Sequence, residues 1–394
     1  MSFEFATAGR VVLGSGVSTQ AAEIASALAR RWLVVTGSRE LERQGVVAKL
    51  ARSLADKAAD SVAVSIQGEP DIDSIDAATR LARGAGCEGV IGIGGGSAID
   101  SAKAIAALLT NGGEALDYME VVGGGKNIAK PAAPVVAIPT TAGTGAEVTR
   151  NAVVAHRPSG MKASLRSPYL LPWVALVDPV LTHTLPPAVT ASTGMDALTQ
   201  LIEPYVSRRA QPLTDALARE GIPRVARSLA RAWAEPTNVA AREDMALASL
   251  LGGMALANAG LGAVHGFAAA LGGSHPVPHG VACAALLAPV MRINVRALRQ
   301  REPEGGTLSR YEQAAEALLG KRLGTPAATI DAGVQFVHDL CRQIEIPPLS
   351  RFGVRLEEVP GVVERARATS SMKANPISLS AEELTEALTA AVGQ

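Results

Sequence analysis

Histidines are concentrated in one segment of the C-terminal half, where they could bind a metal ion. The segment VHGFAAALGGSHPVPHG, residues 264–280, contains His265, His275 and His279, in a chain with 6 histidines. His265 and His279 are each followed by a glycine, which leaves space around the imidazole. Imidazole together with a carboxylate suits Zn²⁺, Fe²⁺ and similar cations. A histidine by itself is more often structural, so the metal hypothesis needs a carboxylate.

A suitable carboxylate lies in the segment GMDALTQLIE, residues 194–203, whose spacing predicts a helix. Asp196, Gln200 and Glu203 stand at positions i, i+4 and i+7, and therefore on one face. A carboxylate on an otherwise apolar helix face needs a partner. We expect Asp196, His265 and His279 to form a divalent metal site. The alternative is that Asp196 caps a helix or makes a buried hydrogen bond.

Two glycine-rich loops indicate a nucleotide site. In IGIGGGSAIDSAK, residues 91–103, an apolar run stops at three glycines and an Ala-rich helical pattern follows Ser97. A helix N-terminus after such a turn can bind phosphate, although the order is not G-x-G-x-x-G. The segment PTTAGTGAEVT, residues 139–149, places hydroxyls after another strand. Ligands of parallel sheets bind outside the carboxyl ends of the strands, so the two loops together favour a nucleotide over ordinary turns.

The elements that must position these residues change in character along the chain. The first part alternates apolar runs with helical patterns, which is typical of a parallel sheet covered on both faces. The predicted strands are at 31–37, 62–68, 89–95, 134–140 and 174–179. From Pro186 onward, long Ala- and Leu-rich helical patterns follow one another. We predict an α/β nucleotide-binding domain at 1–185 and an all-helical metal and substrate domain at 186–394.

Composition excludes several classes of protein. The 37 Lys and Arg residues balance 37 Asp and Glu residues, so no charge surplus points to nucleic acid or to an anionic membrane. The cysteines Cys87, Cys283 and Cys341 lack C-x-x-C spacing, which predicts small apolar residues in a reducing compartment. We also find no signal-peptide pattern and no charge-free run long enough for a bilayer, and expect a cytoplasmic location.

Taken together, the motifs resemble the iron-containing (group III, metal-dependent) alcohol dehydrogenase family, almost from end to end. The resemblance rests on long segments in family order, which are GGGSAIDSAK at 94–103, PTTAGTGAEVTRNAVV at 139–154, KASLRSP at 162–168, VDP at 177–179, GMDALTQLIE at 194–203 and the segment 265–280. It implies a Rossmann-like α/β N-terminal domain, an all-α C-terminal domain in the dehydroquinate synthase-like architecture, and a cleft between them. NAD(P) would bind the first domain and a divalent metal, Fe²⁺ or Zn²⁺, the second.

The resemblance also implies which residues bind cofactor and metal. The positions that match the family's cofactor contacts are Gly95, Gly96, Ser97, Asp100, Thr140, Thr141, Thr149, Asn151, Lys162 and Leu181. The family's metal ligands, one Asp and three His, fall on Asp196, Gln200, His265 and His279. Gln200 is a departure, because an amide oxygen is a weaker ligand than imidazole for borderline cations. Ala269 is a second departure, since many members have a histidine there that is often given a proton-transfer role.

Cofactor choice has one indication in the sequence. NAD-preferring members often carry Asp where Gly37 stands after the first predicted strand. Without that carboxylate, nothing repels a 2′-phosphate, and Ser38 or Arg39 could receive it. Arg39 could equally be a solvated residue at a helix start. We expect NADP(H) to be accepted at least as well as NAD(H).

The resulting hypothesis is an NAD(P)-dependent alcohol dehydrogenase, or aldehyde or ketone reductase, acting on a small molecule as a homodimer. The metal would act as a Lewis acid. Catalytic candidates are His265 and His279 as ligands and His275 as a nearby imidazole, with ribose hydroxyls and water as alternative proton routes. Three other functions stay open: a metal-independent reductase of the maleylacetate reductase type, a dehydroquinate synthase-like lyase, and a non-catalytic nucleotide-binding protein.

Overall fold

Two compact units make up the chain, and the computed structural model describes residues 2–37 and 39–393. The first unit comprises Ala6–Thr141 and Gly145–Thr182, and is called the α/β unit below. The second comprises Met1–Phe5, Ala142–Thr144 and His183–Gln394, and is called the helical unit.

All the strands of the described chain belong to the α/β unit. They are β1 (Arg10–Leu13), β2 (Arg31–Thr36), β3 (Asp60–Ser65), β4 (Gly89–Gly94), β5 (Val135–Pro139), β6 (Asn151–His156), β7 (Met161–Arg166) and β8 (Val174–Val177). Its helices are α1 (Ala21–Ser26), α2 (Arg39–Arg43), α3 (Val46–Ala55), α4 (Ile72–Gly84), α5 (Gly96–Asn111) and α6 (Ala115–Tyr118).

The helical unit is built from nine described α-helices. They are α7 (Pro187–Val206), α8 (Pro212–Ala234), α9 (Val239–Ala259), α10 (Ala263–Gly272), α11 (His279–Arg301), α12 (Gly306–Leu319), α13 (Pro326–Gln343), α14 (Val359–Arg367) and α15 (Ala381–Val392). Proline occupies the first turn of α7, α8 and α13, where its missing N–H costs no intrahelical hydrogen bond.

Six strands form one parallel sheet in the order β1-β8-β5-β4-β2-β3. Strand β2 lies between β3 and β4, so the chain leaves β2 toward one edge of the sheet and later returns to its other side. Such a change of direction is a topological switch point, where α/β sheets bind ligands at the carboxyl ends of the strands. Strands β2 and β4 therefore mark the expected ligand-binding edge.

Apolar side chains cover both faces of this sheet. Trp32 and Val34 of β2 pack into one buried cluster, whereas Leu33 and Val35 pack into another. Successive side chains of a strand point to opposite faces, and a parallel sheet covered on both sides therefore needs continuous apolar runs. Such runs made β2, β4, β5 and β8 predictable from the sequence.

Two parts of the α/β unit were not predicted. Strand β1, which pairs with β8 at the edge of the sheet, is only four residues long and half-exposed. Strands β6 and β7 form a separate antiparallel hairpin with partly exposed side chains. Short strands with little buried surface carry a weak hydrophobic pattern, which explains both omissions.

Helix α11 runs through the core of the helical unit. By length and hydropathy alone it could cross a membrane, but 89% of its most apolar 18-residue window is buried inside the protein. The bent pair α9 and α10 passes the same test with an angle of 98° between its helices. Burial of this kind is what the central helices of a globular unit show. The predicted fold class, a parallel α/β part followed by an all-helical part, is confirmed.

Candidate functional site

Three helices of the helical unit bring the predicted metal ligands together. Asp196 lies in the middle of α7, His265 is in the first turn of α10, and His279 is the first residue of α11. Gly262 precedes α10, and a β-carbon there would lie 2.7 Å from Glu203 Oε1, which allows α10 to begin close to α7.

The ligand atoms of this cluster converge on one small volume. Asp196 Oδ1 lies 3.3 Å from His265 Nε2 and 3.7 Å from His279 Nε2. The Sγ atom of Cys283 lies 3.8 Å and 3.7 Å from the same two nitrogens. One ligand atom from each of the four residues lies within 4.8 Å of the others. Carboxylate, imidazole and thiol are the groups that hold Zn²⁺ and related ions.

Two buried oxygen atoms at this point have no hydrogen-bond donor among the described residues. They are Asp196 Oδ1 and Gln200 Oε1, on side chains whose residues are only 2% and 3% exposed. A buried acceptor without a partner costs about 1–3 kcal/mol, so such atoms call for a ligand. A divalent cation bound by Asp196 would satisfy its Oδ1. The residues present therefore fit the metal that the sequence predicted.

Glu203, one turn further along α7, holds His265 in place. Its Oε2 lies 2.7 Å from His265 Nδ1, and its Oε1 accepts a hydrogen bond of 2.7 Å from the backbone N–H of Val264. When His265 is neutral and its Nδ1 donates to Glu203, Nε2 carries the lone pair that a metal ion would bind. A carboxylate behind a histidine is the usual arrangement in metal sites, because it fixes the tautomer and the ring orientation.

The charges around the cluster favour a cation. Burial opposes ionisation of Asp196, but His279, His265 and Gln200 outweigh it and lower the pKa of that carboxyl. Burial also opposes a charged His265, yet its thiol and carboxylate neighbours raise its pKa well above the ordinary value. The nearby Cys283 raises the pKa of His279 against the effect of burial. The site thus attracts positive charge, which protons or a metal ion can supply.

Access to the cluster is one-sided. The side chains of Asp196 and His265 are 2% and 6% exposed, whereas that of His279 is 42% exposed. A metal site that performs chemistry keeps a position open for substrate, unlike a closed structural site. The His279 side of the cluster provides that opening.

Sequence reasoning missed Cys283. It stands four residues after His279 on α11, so both side chains lie on one helix face. That spacing was available in the sequence, but without knowledge of the helix packing Cys283 could not be told from a small core residue. Helical spacing correctly predicted that Glu203 lies on the same helix face as Asp196. Only the structure shows that its partner is His265.

His275 has other partners. Its Nδ1 lies 3.0 Å from Ser274 Oγ and its Nε2 lies 3.3 Å from Glu358 Oε2. These contacts account for both ring nitrogens without the metal cluster. Its proposed part in proton transfer stays a prediction.

In the α/β unit, several predicted cofactor residues meet at the carboxyl edge of the sheet. Gly37 follows β2, and a β-carbon built on Gly94 would lie 3.2 Å from the Gly37 nitrogen. A β-carbon on Gly95 would lie 3.5 Å from the Thr141 side chain, and the Thr140 N–H donates to the Gly94 carbonyl. The loops after β2, β4 and β5 are thus in contact at the switch point.

The N-terminus of α5 opens at the same edge. Gly95 precedes the helix without a side-chain cap, and Gly96 and Ser97 are its first residues. The first N–H groups of the helix that make backbone hydrogen bonds within it are those of Ala98 and Ile99, which donate to the Gly95 carbonyl. The amides of the first turn and the positive end of the helix dipole make such a position suitable for phosphate.

The other predicted cofactor residues are engaged within the α/β unit. Asp100 Oδ2 accepts from the Val153 N–H, and its Oδ1 lies 2.9 Å from Lys103 Nζ. Lys103 also donates to Thr149 Oγ1 at 2.9 Å. Lys162 forms an ion pair with Glu69. The contacts of Asp100 and Lys103 hold α5 against the hairpin and the loop before it, whereas the Lys162 ion pair joins the hairpin to the segment between β3 and α4.

Four predicted positions remain. Asn151 begins β6 and pairs with Arg166 of β7. Leu181 follows β8 and packs, partly buried, against the sheet cluster that contains Trp32. Ser38 and the Arg39 side chain lie outside the described residues.

Comparisons with known proteins agree with this arrangement. The family model "Iron-containing alcohol dehydrogenase" matches residues 8–179, and "Fe-containing alcohol dehydrogenase family, C-terminal" matches residues 190–392. The probable alcohol dehydrogenase EutG of Escherichia coli (strain K12) is 38% identical over 333 residues, which are 80% of this chain and 82% of EutG.

Solved structures of related enzymes match the fold over nearly the whole chain. A 1,3-propanediol oxidoreductase has a TM-score of 0.92 and 32% identity, with 99% of this chain and 100% of that chain covered. The sulfoacetaldehyde reductase of Bifidobacterium kashiwanohense, solved in complex with NAD⁺, has a TM-score of 0.87 and 31% identity, with 100% and 99% covered. The resemblance found in the sequence is confirmed: the chain belongs to the iron-containing alcohol dehydrogenase family, whose members are oxidoreductases acting on CH–OH groups.

Proposed function

We propose that this protein is an NAD(P)-dependent alcohol dehydrogenase, or aldehyde or ketone reductase, that uses a divalent metal. The observation that carries the proposal is the convergence of Asp196, His265 and His279 on one point, with an unpartnered buried carboxylate oxygen at its centre. A divalent cation would pair with this oxygen, which otherwise depends on a protonated His265 or His279.

The metal part of the proposal rests on the helical unit. Asp196, His265 and His279 would hold the ion, with Gln200 beside them. The ion would supply Lewis-acid polarisation of the oxygen of a small alcohol, aldehyde or ketone. Glu203 would keep the ring of His265 in its binding orientation, and the exposed side of His279 would admit the substrate.

The cofactor part rests on the α/β unit. The loops after β2, β4 and β5 and the N-terminus of α5 would bind the dinucleotide, with the pyrophosphate at Gly95, Gly96 and Ser97. The nicotinamide ring would exchange the hydride with the substrate carbon. Gly37, which carries no carboxylate, supports acceptance of NADP(H) beside NAD(H).

The remaining parts of the proposal concern the proton, the assembly and the compartment. Ala269 supplies no imidazole, so His275, the ribose hydroxyls and water are the candidate proton routes. The described cysteines are free, which agrees with a reducing, cytoplasmic compartment. A homodimer is proposed from the family resemblance.

Metal analysis and a substrate panel test the proposal. We expect purified protein to contain close to one divalent ion per chain and to oxidise NAD(P)H with small aldehydes or ketones. Chelation should abolish turnover, and Zn²⁺ or Fe²⁺ should restore it. Full turnover after complete metal removal would instead identify a metal-independent reductase. Cofactor binding without turnover on the whole panel would indicate a nucleotide-binding protein.

A further inference from the structure

We propose that Cys283 is itself a metal ligand, as a thiolate, and that the site is built from Asp196, His265, His279 and Cys283, with a fifth position for the substrate oxygen on the exposed side of His279. This inference rests on the metal site of the proposed function and deepens it. Cys283 would take the position that the amide of Gln200 fills poorly, and the soft sulfur would select Zn²⁺ over Fe²⁺.

The first argument is the placement of the sulfur. Cys283 is fully buried, and its Sγ lies 3.8 Å from His265 Nε2 and 3.7 Å from His279 Nε2. Ligands at about 2.3 Å for sulfur and about 2.0 Å for nitrogen around a tetrahedral ion are separated by about 3.5 Å. The thiol therefore already stands at nearly the separation that joint ligation requires.

The second argument is the unpartnered carboxylate oxygen in the same space. Asp196 Oδ1 is buried, has no hydrogen-bond donor within the described chain, and lies 3.3 Å and 3.7 Å from the two nitrogens. Oxygen and nitrogen ligands of a tetrahedral ion are separated by about 3.3 Å. The carboxylate and the thiol therefore both lie near the two imidazole nitrogens at separations close to those of joint ligation, and all four ligand atoms lie within 4.8 Å of one another.

The other two cysteines show what a structural thiol looks like in this protein. Cys341 Sγ donates to the Ala284 carbonyl, and burial raises its pKa to about 12. Burial likewise raises the pKa of Cys87. Neither belongs to a group of metal-binding side chains among the described residues, whereas Cys283 does.

Cys283 would bind the ion as a thiolate. On binding the ion, the Cys283 thiol would release its proton to solvent. One carboxylate and one thiolate then neutralise the two positive charges of the ion, while both histidines stay neutral. The Glu203 carboxylate, 2.7 Å from His265 Nδ1, adds a negative charge behind the ligands and further favours a bound cation.

The consequence is a preference among metals. Thiolate favours Zn²⁺ and, among test ions, Co²⁺, whereas Mn²⁺ prefers oxygen ligands. We expect Cys283→Ser to lower the affinity for Zn²⁺ by about tenfold or more and the affinity for Mn²⁺ by less than about threefold. Cys87→Ser and Cys341→Ser are matched controls and should change neither affinity.

Spectroscopy of the loaded full-length protein tests the ligand directly. In wild-type protein loaded with Zn²⁺, X-ray absorption should show one sulfur neighbour at about 2.3 Å. In protein loaded with Co²⁺, a thiolate-to-cobalt charge-transfer band should appear in the near-ultraviolet and vanish in Cys283→Ser, while the visible ligand-field bands persist. The wild-type measurement does not depend on whether the variant folds.

The outcomes separate this inference from the proposed function. Bound Zn²⁺ with only nitrogen and oxygen neighbours would overturn the Cys283 assignment and leave the metal-dependent dehydrogenase standing. A charge-transfer band that survives Cys283→Ser would do the same. No binding of either ion would overturn the assignment together with the metal part of the proposed function.

Discussion

Glu203 Oε2 lies 2.7 Å from Nδ1 of His265, and the opposite ring nitrogen of His265 lies 3.3 Å from the Asp196 carboxylate. The imidazole is therefore held between two carboxylates that lie two turns apart on α7. Glu203 orients the ring through Nδ1, and Asp196 lies on the side of Nε2, where the metal ion would bind. This arrangement makes the role of each carboxylate separable by mutation.

The first prediction concerns Glu203. In Glu203→Gln the single remaining oxygen cannot accept from both the Val264 N–H and the His265 ring. We expect Zn²⁺ affinity to fall by about 10–100-fold, as measured by competition with a chromophoric chelator. Glu364→Gln, an exposed substitution of the same type on α14, is the control. Equal affinities in both variants would mean that Glu203 does not position the ligand.

The second prediction concerns Gln200. Gln200→His should supply a third imidazole and increase the fraction of metal retained after dialysis against a chelator. Gln200→Leu provides the contrast, because it removes the amide without supplying another ligand and should not increase metal retention. Unchanged metal retention in Gln200→His would place residue 200 outside the ligand set.

A third prediction addresses the phosphate site. Gly95 has φ −74° and ψ −172°, which other residues adopt, and a β-carbon there would meet the Thr141 side chain at an ordinary 3.5 Å. Gly95→Ala should therefore fold normally, but its methyl group should obstruct the pyrophosphate. We expect Kd for NAD(P)H to rise at least about tenfold in a fluorescence titration.

Gly84→Ala on α4 is the matched control, since a β-carbon there meets no atom within 4 Å. Normal affinity in folded Gly95→Ala protein would remove this loop from the cofactor site.

The fourth prediction is a change in cofactor preference. Gly37→Asp should shift the ratio of kcat/KM values toward NAD(H) by roughly tenfold, because a carboxylate repels the 2′-phosphate of NADP(H). A β-carbon on Gly37 would lie 3.3 Å from the Ala98 β-carbon, so some repacking is expected in any variant. Gly37→Ala controls for that effect, and equal ratios in the two variants would contradict the assignment.

The last prediction is a pH dependence of stability from Glu147. This carboxyl is 2% exposed, and burial raises its pKa to about 7 although Lys103 acts in the opposite direction. Between the ordinary pKa of 4.5 and about 7, the unfolded chain ionises before the folded one. Unfolding free energy should therefore fall across this range by on the order of 3 kcal/mol.

Urea unfolding at several pH values measures this effect. Glu147→Gln should remove this fall in unfolding free energy. The variant should therefore become more stable relative to the wild type as the pH rises from about 4.5 to about 7. Glu23→Gln, at an exposed position of α1, should leave the slope intact. A wild-type slope that persists in Glu147→Gln would assign the pH dependence to another group.

The sequence by itself determined the main elements and most of the candidate site. Continuous apolar runs predicted β2, β4 and β5, because strands buried on both faces admit few polar residues. Helical spacing placed Asp196, Gln200 and Glu203 on one face. The glycine-rich turn before α5 and the two histidines followed by glycine were also visible in the sequence, since they depend on local backbone geometry and residue type.

Only the tertiary structure decided which of these side chains share a point in space. Cys283 joins Asp196 and His265 because α7, α10 and α11 pack against one another, and a pairing between helices leaves no periodic trace in the sequence. The packing of α7 against α10 also places Glu203 beside His265, and the contact between His275 and Glu358 likewise joins segments far apart in the sequence. Local pattern fixes the face on which a residue lies, whereas contacts between distant segments depend on how whole helices pack.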